Sequence, residues 1–288
     1  MELKTEVVRL FRCPTCLATL SPHGGSLGCD GAERHLVEIE DGVVVFTRPD
    51  VGKYDPEYAA RYAALWAFGY RTLHSGLDEG LYRTVSSFVA EALAEADRPA
   101  PVIVDAGCGV GRVLADVSAL ARRGLVIALD ASPAMLEFSR RVVVGGQSMD
   151  VSLPRYGFPS LRIDGVGTTN VVLGRADVED LPLADGCADV VLSVNIVDRL
   201  PHGPEVAFRE CRRVLRPGGT LVFTDPFNWI DPSLWEKYPD STTILALLEA
   251  TGFSIDTWFD NLAYREILDA RGSFDEFRTL AVKARKAF

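Results

Sequence analysis

Residues 102–120 read VIVDAGCGVGRVLADVSAL, and this stretch decides the fold class. An apolar run that favours a β-strand ends at Asp105, and glycines follow at positions 107, 109 and 111. A helical pattern begins directly after the last glycine. A strand, a glycine-rich turn and a helix in this order predict that the backbone closely approaches a ligand at the turn.

The spacing of the glycines excludes two classes of ligand-binding loop. A loop that cradles nucleoside triphosphates ends in Gly-Lys-Ser/Thr, whereas Gly111 is followed by Arg112 and Val113. A nicotinamide or flavin dinucleotide fingerprint requires a third glycine at position 112, where the arginine side chain would obstruct the pyrophosphate. Two interpretations of the turn remain. It binds S-adenosylmethionine (SAM), which carries no phosphate, or it is a tight turn that binds no ligand.

Apolar runs of strand type alternate with helical patterns through the rest of the chain. Four runs follow the first one, VIALDAS, NVVLGRAD, DVVLSVN and GTLVFTD. A helix is predicted at residues 242–253, and two last strands at 254–259 and 276–286. This alternation predicts an α/β fold in which helices cover both faces of a parallel sheet. Ligands of such sheets bind beyond the carboxyl ends of the strands.

Polar residues stand at five successive strand ends: Asp105, Asp130, Asp177, Asn195 and Asp225. The Asp130 carboxylate is placed to accept two hydrogen bonds from a ribose diol. Asp177 can accept a hydrogen bond from an adenine amino group, while the amide of Val178 donates to a ring nitrogen. A helix cap or a solvated turn is the alternative for each acid taken alone. The ordered series favours a nucleoside site.

The segments DAGCGVG, LDAS, GRADVEDLPL and VLRPGGTLVF together resemble the class I SAM-dependent methyltransferases, over roughly residues 80–288. The resemblance implies a doubly wound, seven-stranded, Rossmann-like sheet whose last strand is antiparallel. It implies that Gly107 and Gly109 pass beneath the methionine part of SAM. It also assigns the ribose to Asp130 and the adenine to Asp177 and Val178. The residues predicted to bind SAM are Asp105, Gly107, Gly109, Asp130, Ala131, Asp177, Val178 and Asn195.

Four candidate metal ligands precede this region: Cys13, Cys16, Cys29 and His35. Three thiolates and one imidazole can hold a tetrahedral Zn²⁺, which would stabilise a segment too short to bury a large core. The segment resembles the small zinc ribbons that precede some methyltransferases, including the bacterial rRNA guanine-N1 enzymes. The Cys29-x5-His35 gap is wider than the usual knuckle. We predict one structural zinc on these four residues, with His23 as the alternative fourth ligand and a metal-free ribbon as the alternative state.

The chain divides into three predicted parts. A zinc-ribbon-like segment occupies residues 1–50, a helical extension 51–98 and a SAM-binding methyltransferase domain 99–288. The last part carries a glycine-rich insertion at 142–170, which we expect to form a hairpin or a lid that encloses a small substrate. A surface elaboration is the alternative for the insertion.

Aromatic residues of the helical extension recur every four residues: Tyr54, Tyr58, Tyr62, Trp66 and Tyr70. This spacing places them on one slowly turning helical face. Core packing is expected for most of them, and one or two are candidates to reach SAM or the methyl acceptor. His74 follows the same face and is a candidate general base.

Two short segments bear on the methyl acceptor. Residues 193–203, SVNIVDRLPHG, and 224–229, TDPFNW, resemble the methyltransferase part of ovothiol-type synthases. The resemblance implies that Asp198, Asp225 and Asn228 bind a small polar acceptor, together with Arg199. The alternative is an Asp198–Arg199 ion pair at the surface.

The composition of the chain limits the classes of partner that we expect. A formal net charge of −10 argues against nucleic acids and acidic lipids. No apolar stretch reaches the about 20 residues of a membrane span, and the N-terminus lacks the apolar region of a signal peptide. Six cysteines in such a chain favour a reducing compartment. We therefore expect a cytoplasmic protein with a small-molecule substrate, no nucleic-acid or membrane partner, and an oligomeric state that the sequence leaves open.

The sequence thus predicts a SAM-dependent methyltransferase that acts on an N, S or O atom of a small polar molecule. One alternative is an RNA base methyltransferase whose ribbon grips the nucleic acid. Against it, residues 1–50 hold more Asp and Glu than Lys and Arg. The other alternative is a non-catalytic SAM-binding protein, whose SAM pocket would have no acceptor cavity beside the sulfonium.

Overall fold

The structure is a computed structural model that describes residues 3–47, 56–72 and 79–287. The strands are β1 (Leu20–His23), β2 (Ser26–Cys29), β3 (Leu36–Glu40), β4 (Val43–Val45), β5 (Val102–Ala106), β6 (Leu125–Asp130), β7 (Met149–Leu153), β8 (Phe158–Ile163), β9 (Val171–Arg175), β10 (Ala188–Val194), β11 (Leu215–Asp225), β12 (Phe253–Ile267) and β13 (Phe274–Lys286). The helices are α1 (Thr5–Val8), α2 (Pro56–Thr72), α3 (Glu79–Ala96), α4 (Arg112–Leu120), α5 (Pro133–Ser139), α6 (Pro204–Val214), α7 (Pro232–Lys237) and α8 (Ser241–Ala250). Within the described ranges, no helix combines the length and apolar character needed to cross a membrane.

Seven strands form the central sheet in the order β9-β6-β5-β10-β11-β13-β12. The first five strands of this order are parallel, and β13 enters antiparallel between β11 and β12. The predicted Rossmann-like α/β fold with an antiparallel last strand is confirmed. Because the parallel strands all point the same way, their carboxyl ends meet at one edge of the sheet.

Helices cover both faces of this sheet, as the alternation of side chains along β5 shows. Ile103 and Val104 are both fully buried, but they face opposite sides of the sheet. Ile103 packs with Phe88 of α3 and Leu114 of α4, whereas Val104 belongs to the core that contains Phe208 of α6. Both faces therefore require apolar residues, which explains the continuous apolar run of this strand. Full burial of each such side chain contributes about 1.5–3 kcal/mol.

The N-terminal strands extend the central sheet. β4 pairs in parallel with β9, with Val44 opposite Gly174, and β3, β2 and β1 continue outward to give an 11-stranded sheet. Phe11 is 1% exposed and packs against Phe46 at a ring-centroid distance of 5.1 Å. The ribbon-like segment thus shares a hydrophobic core with the central sheet, and the predicted division at residue 50 stays a prediction.

The insertion at 142–170 contains a two-stranded hairpin formed by β7 and β8. The hairpin packs against α2, where Val151, Leu153 and Phe158 share a core with Ala59 and Ala63. Small alanines on α2 allow this close approach. The insertion therefore packs against α2 and helps to hold this helix in place.

β12 and β13 are longer than the sequence patterns predicted. β11 ends at Asp225, opposite Leu280, but β12 and β13 continue to pair from Leu262 and Thr279 up to Ile267 and Phe274. Register shifts between Ile255 and Thr257 and between Phe259 and Leu262 accompany this extension. The hairpin consequently rises beyond the carboxyl edge of the sheet.

Candidate cofactor and acceptor site

A cavity of about 400 Å³ lies at the carboxyl ends of the parallel strands. All eight residues predicted to bind SAM line it: Asp105, Gly107, Gly109, Asp130, Ala131, Asp177, Val178 and Asn195. The strand ends bring these residues together although they are spread over 91 positions of the chain, from 105 to 195.

The glycine-rich turn between β5 and α4 forms the floor of the cavity. Gly107 and Gly109 have φ angles of 88° and 53°, in the left-handed region that favours glycine. A Cβ at Gly107 would lie 2.1 Å from Ile196 Cδ1, so no larger residue fits there. A Cβ at Gly109 would meet nothing within 4 Å, because this backbone faces the cavity.

Asp130 is fixed by the glycine turn. Its Oδ2 accepts a hydrogen bond from the Gly109 amide at 2.8 Å, and its Oδ1 accepts from the Ser132 amide at 2.8 Å. Burial raises the pKa of Asp130, and these amides partly oppose the shift. Each carboxylate oxygen retains a second lone pair, so the group can still accept hydrogen bonds from a diol.

Asp105 is a buried carboxyl group that faces the cavity and is 1% exposed. Among the described residues, its Oδ2 has no hydrogen-bond partner. Burial and the nearby charge of Asp130 raise the pKa of Asp105 to about 7. A buried carboxylate without partners is costly, so the site favours a ligand that brings a positive group or a donor.

Asp177 and Val178 follow β9 at the far side of the cavity. Asp177 Oδ1 accepts a hydrogen bond from the Glu179 amide at 2.9 Å, which orients the exposed carboxylate. Asn195 follows β10 with a left-handed φ of 52°, and its Oδ1 accepts a hydrogen bond from the Thr224 hydroxyl at 2.8 Å. These contacts fix both strand-end turns before any ligand binds.

The three residues predicted to bind the acceptor lie at different depths. Asp198 lines the cavity and pairs with Arg199 at 3.4 Å, and Arg199 lines the cavity too. The ion pair therefore borders the cavity instead of lying on the outer surface. Asp225 is fully buried and is not part of the cavity lining.

Asp225 supports the turn that carries Asp198. It accepts hydrogen bonds from the Phe227 amide at 2.8 Å and from the Asp198 amide at 3.2 Å. Burial, followed by the neighbouring Asp198, raises the pKa of Asp225 well above its usual range. Asn228 also lies outside the cavity lining, and the preceding Phe227 has a left-handed φ of 56°. Asp225 and Asn228 thus lie outside the cavity lining, and their direct contact with the acceptor stays a prediction.

Sequence reasoning missed one wall of the cavity, which the β12–β13 hairpin supplies. Tyr264, Glu266 and Phe277 line the cavity. Tyr264 and Tyr62 each donate a hydrogen bond to Glu266 Oε1 at 3.4 Å. Burial raises the pKa of Glu266, and the positive charges of Arg61 and Arg199 oppose that shift. The segment LAYREI, 262–267, shows no regular alternation of apolar and polar residues, so no local strand signal located this wall.

The aromatic face of α2 supplies the facing wall. Tyr58 and Tyr62 line the cavity, and their hydroxyl oxygens are 3.2 Å apart. Trp66 packs in the core against Phe138 at a centroid distance of 6.0 Å. Tyr54, the side chain of Tyr70 and His74 lie outside the described part of the chain, so the general-base assignment of His74 stays a prediction.

The insertion at 142–170 contributes no residue to the cavity lining among the described residues. The prediction that it encloses the acceptor has no support from the cavity lining and stays a prediction. The β7–β8 hairpin of the insertion packs against α2. The elements that enclose the cavity are α2 itself and the β12–β13 hairpin.

Comparisons with known proteins show similarity to methyltransferases. A family model described as "Methyltransferase domain" matches residues 104–223, which span β5 to β11. The 23S rRNA (guanine(748)-N(1))-methyltransferase of Streptomyces fradiae is 30% identical over 228 residues, covering 78% of this chain and 66% of that protein. The dimethylglycine N-methyltransferase of Parasynechococcus marenigrum is 29% identical over 226 residues, covering 71% of each chain. The chain belongs to the class I SAM-dependent methyltransferases.

A solved structure shows the same fold in a distant methyltransferase. It comes from Galdieria sulphuraria, is provisionally named a sarcosine dimethylglycine methyltransferase, and matches with a TM-score of 0.52 at 16% identity. The match covers 79% of this chain and 98% of that chain. The present chain spans 38% to 66% of the lengths of four curated relatives, so their activities and substrates do not transfer to it as facts.

The methyltransferase cavity carries more negative than positive groups. Its lining holds five carboxyl groups and two guanidinium groups: Asp105, Asp130, Asp177, Asp198 and Glu266, with Arg112 and Arg199. Arg112 is already paired with Asp116 at 2.7 Å. Low-dielectric walls strengthen the resulting negative potential, which favours cationic ligands.

A separate metal-ligand cluster lies in the ribbon-like segment. Cys13, Cys16, Cys29 and His35 each place one ligand atom within 4.8 Å of all the others. The Cys16 and Cys29 sulfurs are 3.7 Å apart, and His35 Nδ1 lies 3.7 Å from the Cys13 sulfur and 3.5 Å from that of Cys29. Tetrahedral zinc requires about 3.8 Å between two sulfurs and about 3.6 Å between sulfur and nitrogen. The donor set therefore fits zinc.

The fold brings His35 into this cluster as the candidate fourth ligand. The His35 amide donates a hydrogen bond to the Cys29 sulfur at 3.1 Å, which fixes the loop between the two residues. His23, the alternative ligand, ends β1 and is not part of the cluster. The wide Cys29-x5-His35 gap is thus bridged by the backbone itself.

Proposed function

We propose that this methyltransferase transfers the methyl group of SAM to a small polar acceptor that carries an amine or an imidazole. The observation that carries the proposal is the cavity itself. Its floor is the glycine-rich turn with the strand-end residues, and its walls are α2 and the hairpin that holds Glu266. Zinc in the ribbon-like segment is proposed to be structural.

The strand-end residues account for the binding of SAM. Asp130 accepts the ribose hydroxyls, Asp177 and Val178 bind the adenine, and the backbone at Gly107 and Gly109 passes beneath the methionine part. Asp105 would bind the ammonium group, which would supply a donor to a carboxyl group whose Oδ2 has no partner among the described residues. When bound, SAM supplies a methyl group on a positively charged sulfur.

The charge of the lining supports a cationic acceptor. SAM carries one net positive charge and Asp105, with a pKa of about 7, is about half ionised at pH 7, so a lining with three excess carboxyl groups still remains negative after SAM binds. Asp198 and Glu266 then attract an ammonium or imidazolium group, and the rings of Tyr58 and Tyr62 provide faces that favour cations. An acceptor with a phosphate or a free carboxylate would be repelled by the same groups.

Glu266 has the properties of a proton acceptor for such a substrate. Burial raises the pKa of Glu266, which makes its carboxylate a stronger base than an exposed glutamate. It can receive a proton from an acceptor ammonium and so free the nitrogen lone pair for attack. Tyr62 and Tyr264 hold the carboxylate in place, and the aromatic walls exclude water.

An RNA base methyltransferase is the second candidate. The similarity to the Streptomyces fradiae rRNA methyltransferase covers 78% of this chain and favours it. The negative cavity argues against it, because a nucleotide acceptor brings its phosphate groups toward carboxylates. A non-catalytic SAM-binding protein is disfavoured by the space that Tyr58, Tyr62 and Glu266 border beside the SAM-binding floor.

An assay of S-adenosylhomocysteine release tests the proposal. The acceptor panel contains small amines, histidine derivatives, thiols, carboxylic acids and 23S rRNA. We expect turnover with an amine or imidazole and none with rRNA. Methylation of rRNA with a steep salt dependence would replace the proposal by the second candidate.

A pair of variants isolates the acceptor side of the cavity. Glu266→Gln should reduce kcat/KM for the acceptor by about tenfold to a hundredfold, with SAM affinity unchanged. The matched control is Glu236→Gln, the same substitution at an exposed carboxylate of α7 outside the cavity. Equal effects of the two variants would remove Glu266 from the acceptor site.

A further inference from the structure

A second concave surface lies at the opposite end of the sheet. It is a groove of about 650 Å³ between α6, the end of α8 and the end of β13. In the β11–β13 pair, Arg285 is opposite Thr220 near this end, whereas Leu280 is opposite Asp225 near the SAM-binding edge. Five residues of β13 separate the two levels, which corresponds to about 17 Å of sheet. The groove is therefore distinct from the methyltransferase cavity.

Four cationic side chains line the groove: Arg209, Arg212, Arg213 and Lys286. Arg213 is neutralised, because it pairs with Glu210 at 2.7 Å and with Asp185 at 2.8 Å. The other three form no ion pair with a carboxylate within residues 3–47, 56–72 and 79–287. The acids of the groove are already engaged, Asp185 with Arg12 and Arg213 and Glu205 with Lys237.

Two of the unpaired cations are held close to each other. Arg212 Nε donates a hydrogen bond to the Gly252 carbonyl at 3.4 Å, and Lys286 Nζ donates to the Leu215 carbonyl at 2.6 Å. Gly252 has a φ of 94°, and a Cβ there would lie 2.6 Å from Arg212 Nε, so this glycine makes room for the guanidinium. Burial and the positive charge of Arg212 lower the pKa of Lys286.

Backbone carbonyls satisfy hydrogen bonds of these cations, and Asp185 compensates the charge of Lys286 only in part. An anion placed between them would relieve the repulsion and bind through charge-assisted hydrogen bonds. A guanidinium group matches the geometry of phosphoryl oxygens with two parallel donors, and an ammonium group adds a point charge. Leu247 and Ala250 form an apolar border beside these cations.

We propose that this groove binds a small polyvalent phosphoryl anion through Arg212, Lys286 and Arg209. The acidic residues Asp185 and Glu205 lie in the same lining, so the site suits a compact anion better than a long phosphate backbone. The net charge of −10 also disfavours an extended polyanion. This inference is independent of the methyl acceptor.

Calorimetric titration with inorganic pyrophosphate tests the site in the 288-residue chain, at constant ionic strength in a chloride buffer. We expect a single site with a Kd below about 1 mM. Arg212→Gln and, as a second variant, Lys286→Gln should each weaken binding by about tenfold or more. Thermal unfolding without pyrophosphate verifies that both variants are folded.

The control variant is Arg285→Gln. Arg285 neighbours Lys286 on β13 but is paired with Asp256 at 2.8 Å and does not line the groove. The affinity of the Arg285→Gln variant for pyrophosphate should equal that of the parent protein. The proposal is overturned if pyrophosphate shows no binding above chloride, or if Arg285→Gln weakens binding as much as Arg212→Gln. Binding of single-stranded RNA through the same residues, without pyrophosphate binding, would instead identify a nucleic-acid contact surface.

Discussion

Replacing Asp105 with asparagine should raise stability and weaken SAM binding at the same time. Burial and Asp130 raise the pKa of Asp105 from 3.8 to about 7, so above pH 4 folding must protonate this carboxyl or bury its charge. One pKa unit corresponds to about 1.36 kcal/mol, which gives a cost of about 3 kcal/mol at pH 6 and about 4 kcal/mol at pH 8. The stability that the protonated group contributes is fully present below pH 4 and is lost as the pH rises through 7.

Asparagine is neutral at every pH, so Asp105→Asn should be more stable than the parent by up to these amounts. The effect on ligand affinity has the opposite sign. The ionised fraction of Asp105 rises from about one tenth at pH 6 to about nine tenths at pH 8, and only the ionised form pairs with the ligand ammonium. Affinity relative to the asparagine variant should therefore rise about tenfold over this range.

The assay is calorimetric titration with S-adenosylhomocysteine at pH 6, 7 and 8, combined with urea unfolding at the same pH values. The ratio of Kd values for variant and parent cancels the titration of the ligand itself. Glu236→Gln, which changes an exposed carboxylate of α7 outside the cavity, should alter neither quantity. A ratio that does not change with pH, together with an unchanged free energy of unfolding, would refute the reasoning about Asp105.

Three further outcomes are expected. Gly109→Ala should abolish SAM binding in calorimetry because its new Cβ projects into the cavity. The control is Gly24→Ala. Gly24 has nearly the same φ, 54°, so the variant has the same backbone strain of about 1–2 kcal/mol, but it should bind SAM normally. Elemental analysis should find about one zinc per chain, reduced by His35→Ala and not by His23→Ala, and a metal-free parent protein would contradict this. Removal of that zinc by a chelator should lower the melting temperature without preventing SAM binding, because the ligand cluster and the cavity share no residue.

The sequence predicted the central sheet well because its parallel strands are buried on both faces. Such strands read as continuous apolar runs that end at a polar residue, as VIVDAG does at Asp105. The SAM-binding floor followed from the same signal, since carboxyl ends of parallel strands meet at one edge. The eight predicted residues line one cavity for this reason.

The acceptor side was harder to predict because it depends on register and long-range packing. The segment 260–267, DNLAYREI, contains a left-handed Asn261 and resembles a turn in sequence, yet it continues β12 after a register shift. A shift of this kind changes which side chains face the sheet edge, so Glu266 could not be placed from local pattern. The position of the insertion at 142–170 could not be predicted for the same reason, because its packing against Ala59 and Ala63 of α2 is decided by tertiary contacts.

The net charge of the chain is a poorer guide to its ligands than the local distribution of charge. The value of −10 led to the expectation that phosphate-bearing partners are excluded, and the acidic lining of the methyltransferase cavity supports that expectation for the acceptor. At the other end of the sheet, Arg209, Arg212 and Lys286 form a cationic groove on the same acidic chain. Because charges separated by more than about 10 Å are largely screened at moderate salt, the two ends act as independent electrostatic environments. A cationic acceptor at one end and a phosphoryl anion at the other are therefore compatible, and each can be tested without disturbing the other.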